Sequence, residues 1–244
     1  MPKTDDITAA VLVIGDEILS GRTKDKNIGS IAGHLTAIGI RLKEVRVVAD
    51  DEEDIVAAVN ALRHRYNYVF TTGGIGPTHD DITADSVAKA FGVPISIDPR
   101  AEALMQADCV RRGIELTPAR LRMARLPQGA DLVANSISAA PGFVIGNVIV
   151  MAGIPAIMEV MLQAVTPTLK TGTPMLSETI ALDRPESQIA DLFGIHQKRY
   201  PAVAMGSYPC WRDGKPATDL VLRATDRSVL DEAVTTLKQE LGLT

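Results

Sequence analysis

The chain has 244 residues, 46% hydrophobic and 23% charged, so it can close a buried core and is neither a disordered nor a collagen-like polymer. Its 25 Lys and Arg against 30 Asp and Glu leave a net charge of −5, which argues against a protein built to neutralise nucleic-acid phosphates; no nucleic-acid or membrane partner is expected. The two distant cysteines, Cys109 and Cys210, form neither a disulfide framework nor a metal-ligand spacing, and the polar start followed by the short apolar run Ile7–Ile14 offers no targeting segment, so a cytoplasmic protein is expected.

Ala9–Ile14 is apolar at every position and rich in β-branched residues, the pattern of a strand covered on both faces, and Gly15 ends it. Ile28, Ile31, Ala32, Leu35 and Ile38 then recur at steps of three and four, predicting an amphipathic helix over 27–38 that Gly39 stops. A strand over 40–49 follows, then the acidic cluster Asp50–Asp54 where a helix dipole welcomes negative charge, and a helix carrying Ile55, Val56, Val59 and Leu62. Tyr68–Thr72 reads as a third strand, and a helix is expected from Thr78 to Phe91. This alternation selects an α/β layered domain with a mostly parallel sheet, because parallel strands need the crossovers that helices supply. Helices over 99–111 and 118–125, a β-hairpin turning at Gly146–Asn147 and a helix over 154–169 complete it. Thr171–Pro174 reads as a linker, giving domains 1–172 and 173–244. Beyond it, strands over 176–182, 202–208 and 217–224 with helices over 185–197 and 228–241 spell a small β-α-β-β-α domain of the α+β class.

The densest chemistry lies in Thr71–Thr83. Gly73, Gly74 and Gly76 follow a strand and let the backbone approach a ligand with its N–H groups turned inward, so that with Ile75, Thr78 and the next helix N-terminus they form a candidate phosphate cradle. No Gly-Lys-Ser/Thr follows, and His79 stands at the third glycine position of a dinucleotide fingerprint, so neither a Walker A loop nor a Rossmann fingerprint is present. Thr78 and Asp81 also have capping-box spacing, a purely structural alternative. Asp80 and Asp81 beside a phosphate would repel it unless a divalent cation bridges them. Gly15, Asp16 and Glu17 leave the first strand and Asp50 and Asp51 the second, and in open α/β sheets such strand ends converge on the ligand crevice. The alternatives are a solvated loop for Asp16 and Glu17 and helix capping for Asp50 and Asp51. In the polar loop Ser20–Asn27, Ser20, Asp25 and Asn27 can take a ligand's hydroxyls or cap the helix, with Asn27 favoured as the cap. Trp211 is placed at a turn of the small domain.

These residues resemble a known family. Gly15–Gly21 with Asp25 and Asn27, the pair Asp50–Asp51 and the run Thr72–Thr83 are similar to the molybdopterin-binding domain shared by MoaB, MogA, gephyrin and the N-terminal part of CinA, the competence/damage-inducible protein A. Ala140–Phe143 and Met151–Pro155 resemble the CinA branch, and Glu186–Ala190 with Gly206–Pro209 resemble a domain attached to eukaryotic FAD synthases. The resemblance covers nearly the whole chain and implies a three-layer αβα domain plus the small α+β domain, a nucleotide or pterin ligand, and a homo-oligomer. It places catalytic aspartates at Asp50 and Asp81 and a cation (Mg²⁺, Mn²⁺ or Co²⁺) at Asp50, Asp80 and Asp81. Ala152 stands where proline is usual and Ile157 where glutamate is common, and no segment matches the deamidase domain of full-length CinA proteins, so deamidase activity is not expected. The implied function is a divalent-metal-dependent pyrophosphatase of ADP-ribose or FAD. The alternatives are a noncatalytic pterin- or nucleotide-binding module and a molybdopterin adenylyltransferase in molybdenum cofactor biosynthesis.

Overall fold

Strand β1 (Thr8–Ile14) shows why its sequence is apolar throughout: Ala10, Leu12 and Ile14 enter one core while Ala9, Val11 and Val13 enter another on the opposite face of the sheet. The computed structural model describes residues 7–243, so the polar stretch 1–6 lies outside the described residues. The chain divides between Gly172 and Thr173 into two units.

In the larger unit β1 is followed by α1 (Asp16–Leu19), α2 (Asn27–Ala37), β2 (Arg41–Val48), α3 (Glu52–Arg63), β3 (Tyr68–Thr72) and α4 (Thr83–Phe91). Then come β4 (Ile95–Ile97), α5 (Pro99–Arg112), α6 (Pro118–Leu121), β5 (Arg125–Pro127), β6 (Asp131–Val133), β7 (Gly142–Ile145), β8 (Val148–Met151) and α7 (Pro155–Val165). The main sheet has the order β2-β1-β3-β8-β7-β6; its first four strands pair in parallel, and β7 and β6 add antiparallel. Ile31 and Leu35 of α2 with Met158, Met161 and Leu162 of α7 cover one face. Ile55, Val59 and Leu62 of α3, Val87 of α4 and Met105 of α5 cover the other, making the three-layer αβα architecture.

Three short strands, β4, β5 and β6, escape a reading by periodicity because three residues cannot display an alternation. The helix expected from Thr78 begins only at Thr83, because Asp81 turns back onto the preceding loop instead of extending the helix. The N-cap of α2 is Lys26 and not Asn27, which is already the first helical residue; Asp25, one residue before the cap, holds the first turn by accepting the Ile28 N–H at Oδ1 at 2.8 Å.

The smaller unit contains β9 (Leu176–Leu182), α8 (Ala190–Arg199), β10 (Ala204–Arg212), β11 (Lys215–Ala224) and α9 (Arg227–Leu241). Its antiparallel sheet has the order β10-β11-β9. Ile180, Leu182, Leu220 and Leu222 pack beneath Phe193 of α8 and Leu230, Leu237 and Leu241 of α9, giving the expected β-α-β-β-α layering. Asp213 and Gly214, with φ of 50° and 73°, make a tight turn that lets β10 run on to Arg212, so Trp211 lies on a strand rather than at a turn and is largely exposed. His196 of α8 is fully buried, its Nδ1 against a Glu240 carboxylate oxygen and its Nε2 against the Ala233 carbonyl, each at 2.9 Å. Among the described residues, no helix is long and apolar enough to cross a membrane.

Candidate functional site

The parallel register sets the site. Ile14 pairs with Val48, Val13 with Thr72, and Thr72 with Met151, so the loops after β1, β2, β3 and β8 all leave the same sheet edge. Two loop amides extend this ladder: Gly15 N–H donates to the Val48 carbonyl at 3.1 Å and Gly73 N–H to the Met151 carbonyl at 3.2 Å. Between the loops lies a cleft of about 700 Å³, with Gly15, Glu17, Asp50, Gly74 and Asp80 in its wall.

The glycine loop is held by its neighbours on all sides. At Gly73, φ is +103° and a Cβ would fall 2.1 Å from the Ile14 carbonyl oxygen, so the backbone after β3 lies directly against β1 and only glycine fits. Thr83 Oγ1 donates to the Gly73 carbonyl and Thr83 N–H to the Gly74 carbonyl, both at 3.0 Å, which fastens α4 to the loop. Asp81 accepts from Gly76 N–H at 2.6 Å, Thr78 N–H at 2.8 Å and the Thr78 hydroxyl at 2.5 Å. The expected cradle of four successive positions is therefore narrower. Gly73 and Gly76 spend their N–H groups inside the protein, and among the described residues only the Gly74 and Ile75 amides of the Gly73–Gly76 loop have no internal acceptor. The α4 terminus is likewise occupied by Gly74, whereas the start of α7, at Gly153, Ile154 and Pro155, lines the cleft. Buried amides pair with the nearest fixed acceptor first, a preference that spacing in sequence does not reveal.

The acidic residues divide by role. Asp51 caps α3, accepting from Glu53 N–H at 2.9 Å and Asp54 N–H at 3.1 Å. Its neighbour Asp50 takes no part in the cap: its Oδ2 accepts the Asp16 N–H at 3.0 Å, and it stands on a mainly acidic shelf with Asp16, Glu17, Asp80 and Ser20, where Arg22 is the one basic side chain. Burial pushes the Asp50 carboxyl above its usual range; the Asp16 N–H opposes this, and the negative charges of Asp16, Glu17 and Asp80 reinforce it. Asp80 shares the shelf with Asp50 and is also hydrogen-bonded by Thr78, which holds its carboxyl below the usual range, while Asp81 is bonded to the loop; both line the main cleft. Among the described residues no three His, Cys, Asp or Glu side chains are gathered as a ready-made metal cage. Asp25 is engaged with the Ile28 N–H in the first turn of α2, and Asn27, only 4% exposed, ties α2 to the loop after β8 by donating from Nδ2 to the Gly153 carbonyl at 2.8 Å.

Sequence reasoning left the opposite wall unassigned. Met123, Ala140, Ile154, Ile157 and Met161 give the cleft an apolar side, so Ile157, at the position where glutamate is common in the resembling branch, adds hydrophobic surface there. Asn135 organises the loop before β7: Oδ1 accepts from Ile137 N–H (3.0 Å) and Ser138 N–H (3.2 Å), and Nδ2 donates to the Ala140 carbonyl (2.9 Å). Its one available signal was the resemblance of the 135–143 segment, since a lone Asn carries no periodicity.

An open αβα sheet with a glycine loop and carboxylates at its C-terminal strand edge defines a small-molecule-binding α/β domain. Residues 10–171 match the family described as a probable molybdopterin binding domain, and the chain belongs to that family. Residues 174–243 match the FAD synthase middle domain. A protein of Aeropyrum pernix is 34% identical, over 92% of this chain and 87% of its own length. A CinA-like protein of a Geobacter species is 35% identical over 96% of this chain, which spans only 58% of that relative's length. The crystal structure of CinA, of unknown function, from Thermoplasma acidophilum is 36% identical with a TM-score of 0.61, covering 66% of this chain and 96% of that one.

Proposed function

We propose that this protein is a divalent-cation-dependent pyrophosphatase acting on an adenosine dinucleotide such as ADP-ribose or FAD, with Mg²⁺, Mn²⁺ or Co²⁺ as cofactor. The observation that carries this reading is the acidic shelf at Asp50, set in the same cleft as the Gly74 and Ile75 amides. The donor set suits a hard cation: the candidate ligands are all carboxylate oxygens, and Asp50 is raised above the usual range by burial, with the charges of Asp16, Glu17 and Asp80 adding to it. A closed cage is not required, because Mg²⁺ is commonly held by one or two carboxylates together with substrate phosphate oxygens. Asp50 and Asp80, with Asp16 or Glu17, are the residues to hold it. Bound there, the cation neutralises phosphoryl oxygens and acidifies water.

The chain's own groups supply the rest. Gly74 and Ile75 N–H groups bind a phosphate oxygen, and Asp81 keeps that loop in shape through Gly76 and Thr78. With Oδ2 held by the Asp16 N–H, Asp50 Oδ1 is the oxygen left to hold the cation. The apolar wall shelters a heterocycle. The same wall and the family membership favour a second reading, a pterin- or nucleotide-binding module without catalysis. AMP release from ADP-ribose and from FAD, measured with each cation for the wild type and for Asp50→Asn, separates the two. Release that disappears in the variant supports the hydrolase. Calorimetric binding of a pterin or nucleotide without turnover under any cation replaces it with the binding module.

A further inference from the structure

Among the described residues, Arg22 and Arg122 are the arginines left with neither an ion pair nor a hydrogen bond; every other one has at least one such partner. Arg22 is exposed on the shelf, where water solvates it. Arg122 is half-buried in the turn between α6 and β5, and its Nε is sealed from solvent without a partner, while the two terminal Nη groups stay open. A cation drawn partly out of water with no counter-charge costs stability, and methionine would supply an apolar side chain without that cost, so packing alone gives no reason for a guanidinium here.

Arg122 lines a niche of about 20 Å³ that shares Gly74, Ile75, Gly76, Asp81 and Met123 with the main cleft, so the two adjoin along the glycine loop. Room for one water-sized atom is also room for one phosphoryl oxygen. The other charged side chains of the niche are already engaged: Arg125 holds Asp85 through Nη1 at 3.1 Å and Nη2 at 2.6 Å, and Asp81 is taken up by the Gly76 and Thr78 donors of the loop. That leaves the Arg122 Nη groups, beside the free amides of Gly74 and Ile75, to meet a negative oxygen. The main cleft lacks such a group, because its own wall holds Glu17, Asp50, Asp80 and Asp81 but no Lys, Arg or His. We propose that Arg122 is an anion-binding residue of this site: a phosphoryl group on the Gly74 and Ile75 amides sends one oxygen into the niche, where an Arg122 Nη donates to it. The assignment rests on the reading that these amides take a phosphate, and it holds whether or not the anhydride is then hydrolysed.

The test is calorimetric titration of the full chain with ADP in the presence of Mg²⁺, for the wild type, Arg122→Met and Arg122→Lys, beside their melting temperatures without ligand. Loss of one hydrogen bond to a charged group should weaken ADP binding by Arg122→Met about 10- to 100-fold, with a melting temperature no lower than that of the wild type. Arg122→Lys, which keeps the charge but not the planar fork, should fall between the two. Unchanged ADP affinity in Arg122→Met would overturn the assignment and leave the phosphate-binding amides standing. A fall in melting temperature of Arg122→Met, which would make the residue structural, or a lysine variant no better than methionine would also overturn it. Absence of ADP binding by the wild type would remove the phosphate reading of Gly74 and Ile75 and this assignment together. A protein that fails to hydrolyse dinucleotides yet binds ADP through Arg122 loses the pyrophosphatase reading and keeps the anion-binding arginine.

Discussion

Replacing Asp81 by alanine distinguishes a residue that shapes the glycine loop from one that holds a cation. The wild-type carboxylate accepts three hydrogen bonds, from Gly76 N–H, Thr78 N–H and the Thr78 hydroxyl. A buried hydrogen bond to a charged group is worth about 1.5–3 kcal/mol, but this loop is half exposed, so about 0.5–1 kcal/mol each is the appropriate figure and the loss totals about 2 kcal/mol. For a unit of this size that corresponds to a fall in melting temperature of about 4–8 °C. Scanning calorimetry of the wild type and Asp81→Ala in the absence of divalent cation measures it, and a Thr78→Val, Asp81→Ala double-mutant cycle should return a coupling of about 0.5–1 kcal/mol. Cation binding, titrated separately, should survive in Asp81→Ala and fall in Asp50→Asn. A melting temperature within about 1 °C of the wild type, combined with lost cation binding, would refute the positioning role and make Asp81 a ligand.

Gly73→Ala should cost more than about 3 kcal/mol, because its Cβ would meet the Ile14 carbonyl oxygen at 2.1 Å in a strained backbone conformation; a urea midpoint equal to the wild type would mean that the ends of β1 and β3 part easily. Asp50→Asn should raise the melting temperature at pH 7. The folded Asp50 holds its proton above the ordinary value of 3.8, so this carboxyl makes the wild type less stable as pH rises from there through the raised pKa. The advantage of the variant should vanish in acid below 3.8, and a difference that does not change with pH would contradict the raised pKa that burial and neighbouring charge give Asp50. His196→Ala removes two hydrogen bonds and opens a cavity in the smaller unit, for an expected loss of about 3 kcal/mol in urea unfolding followed by circular dichroism; an unchanged midpoint would show that the buried imidazole is dispensable.

The layered class of the fold was legible in the chain because its signals are local and redundant. Ala9–Ile14 is apolar on both faces of a strand, Ile31 and Leu35 keep helical spacing, and the β-α-β-β-α order of the last 70 or so residues repeats the same two periods. The glycine and aspartate residues of the site were legible as residue types, and the register of β1, β2, β3 and β8 explains why they meet. What each one does was decided only in three dimensions. Asp50 and Asp51 are neighbours of identical chemistry, yet one caps α3 and the other joins Asp16 across the strand ends. Asp80 and Asp81 both line the cleft, but only Asp81 accepts the Gly76 amide, and Gly73 and Gly76 give their amides to Met151 and Asp81 instead of leaving them for a ligand. Sequence determines which groups are available and on which face of an element they stand. Tertiary structure determines which donors and acceptors find a partner within about 3 Å, and what is left unpaired after that competition is what a ligand can use.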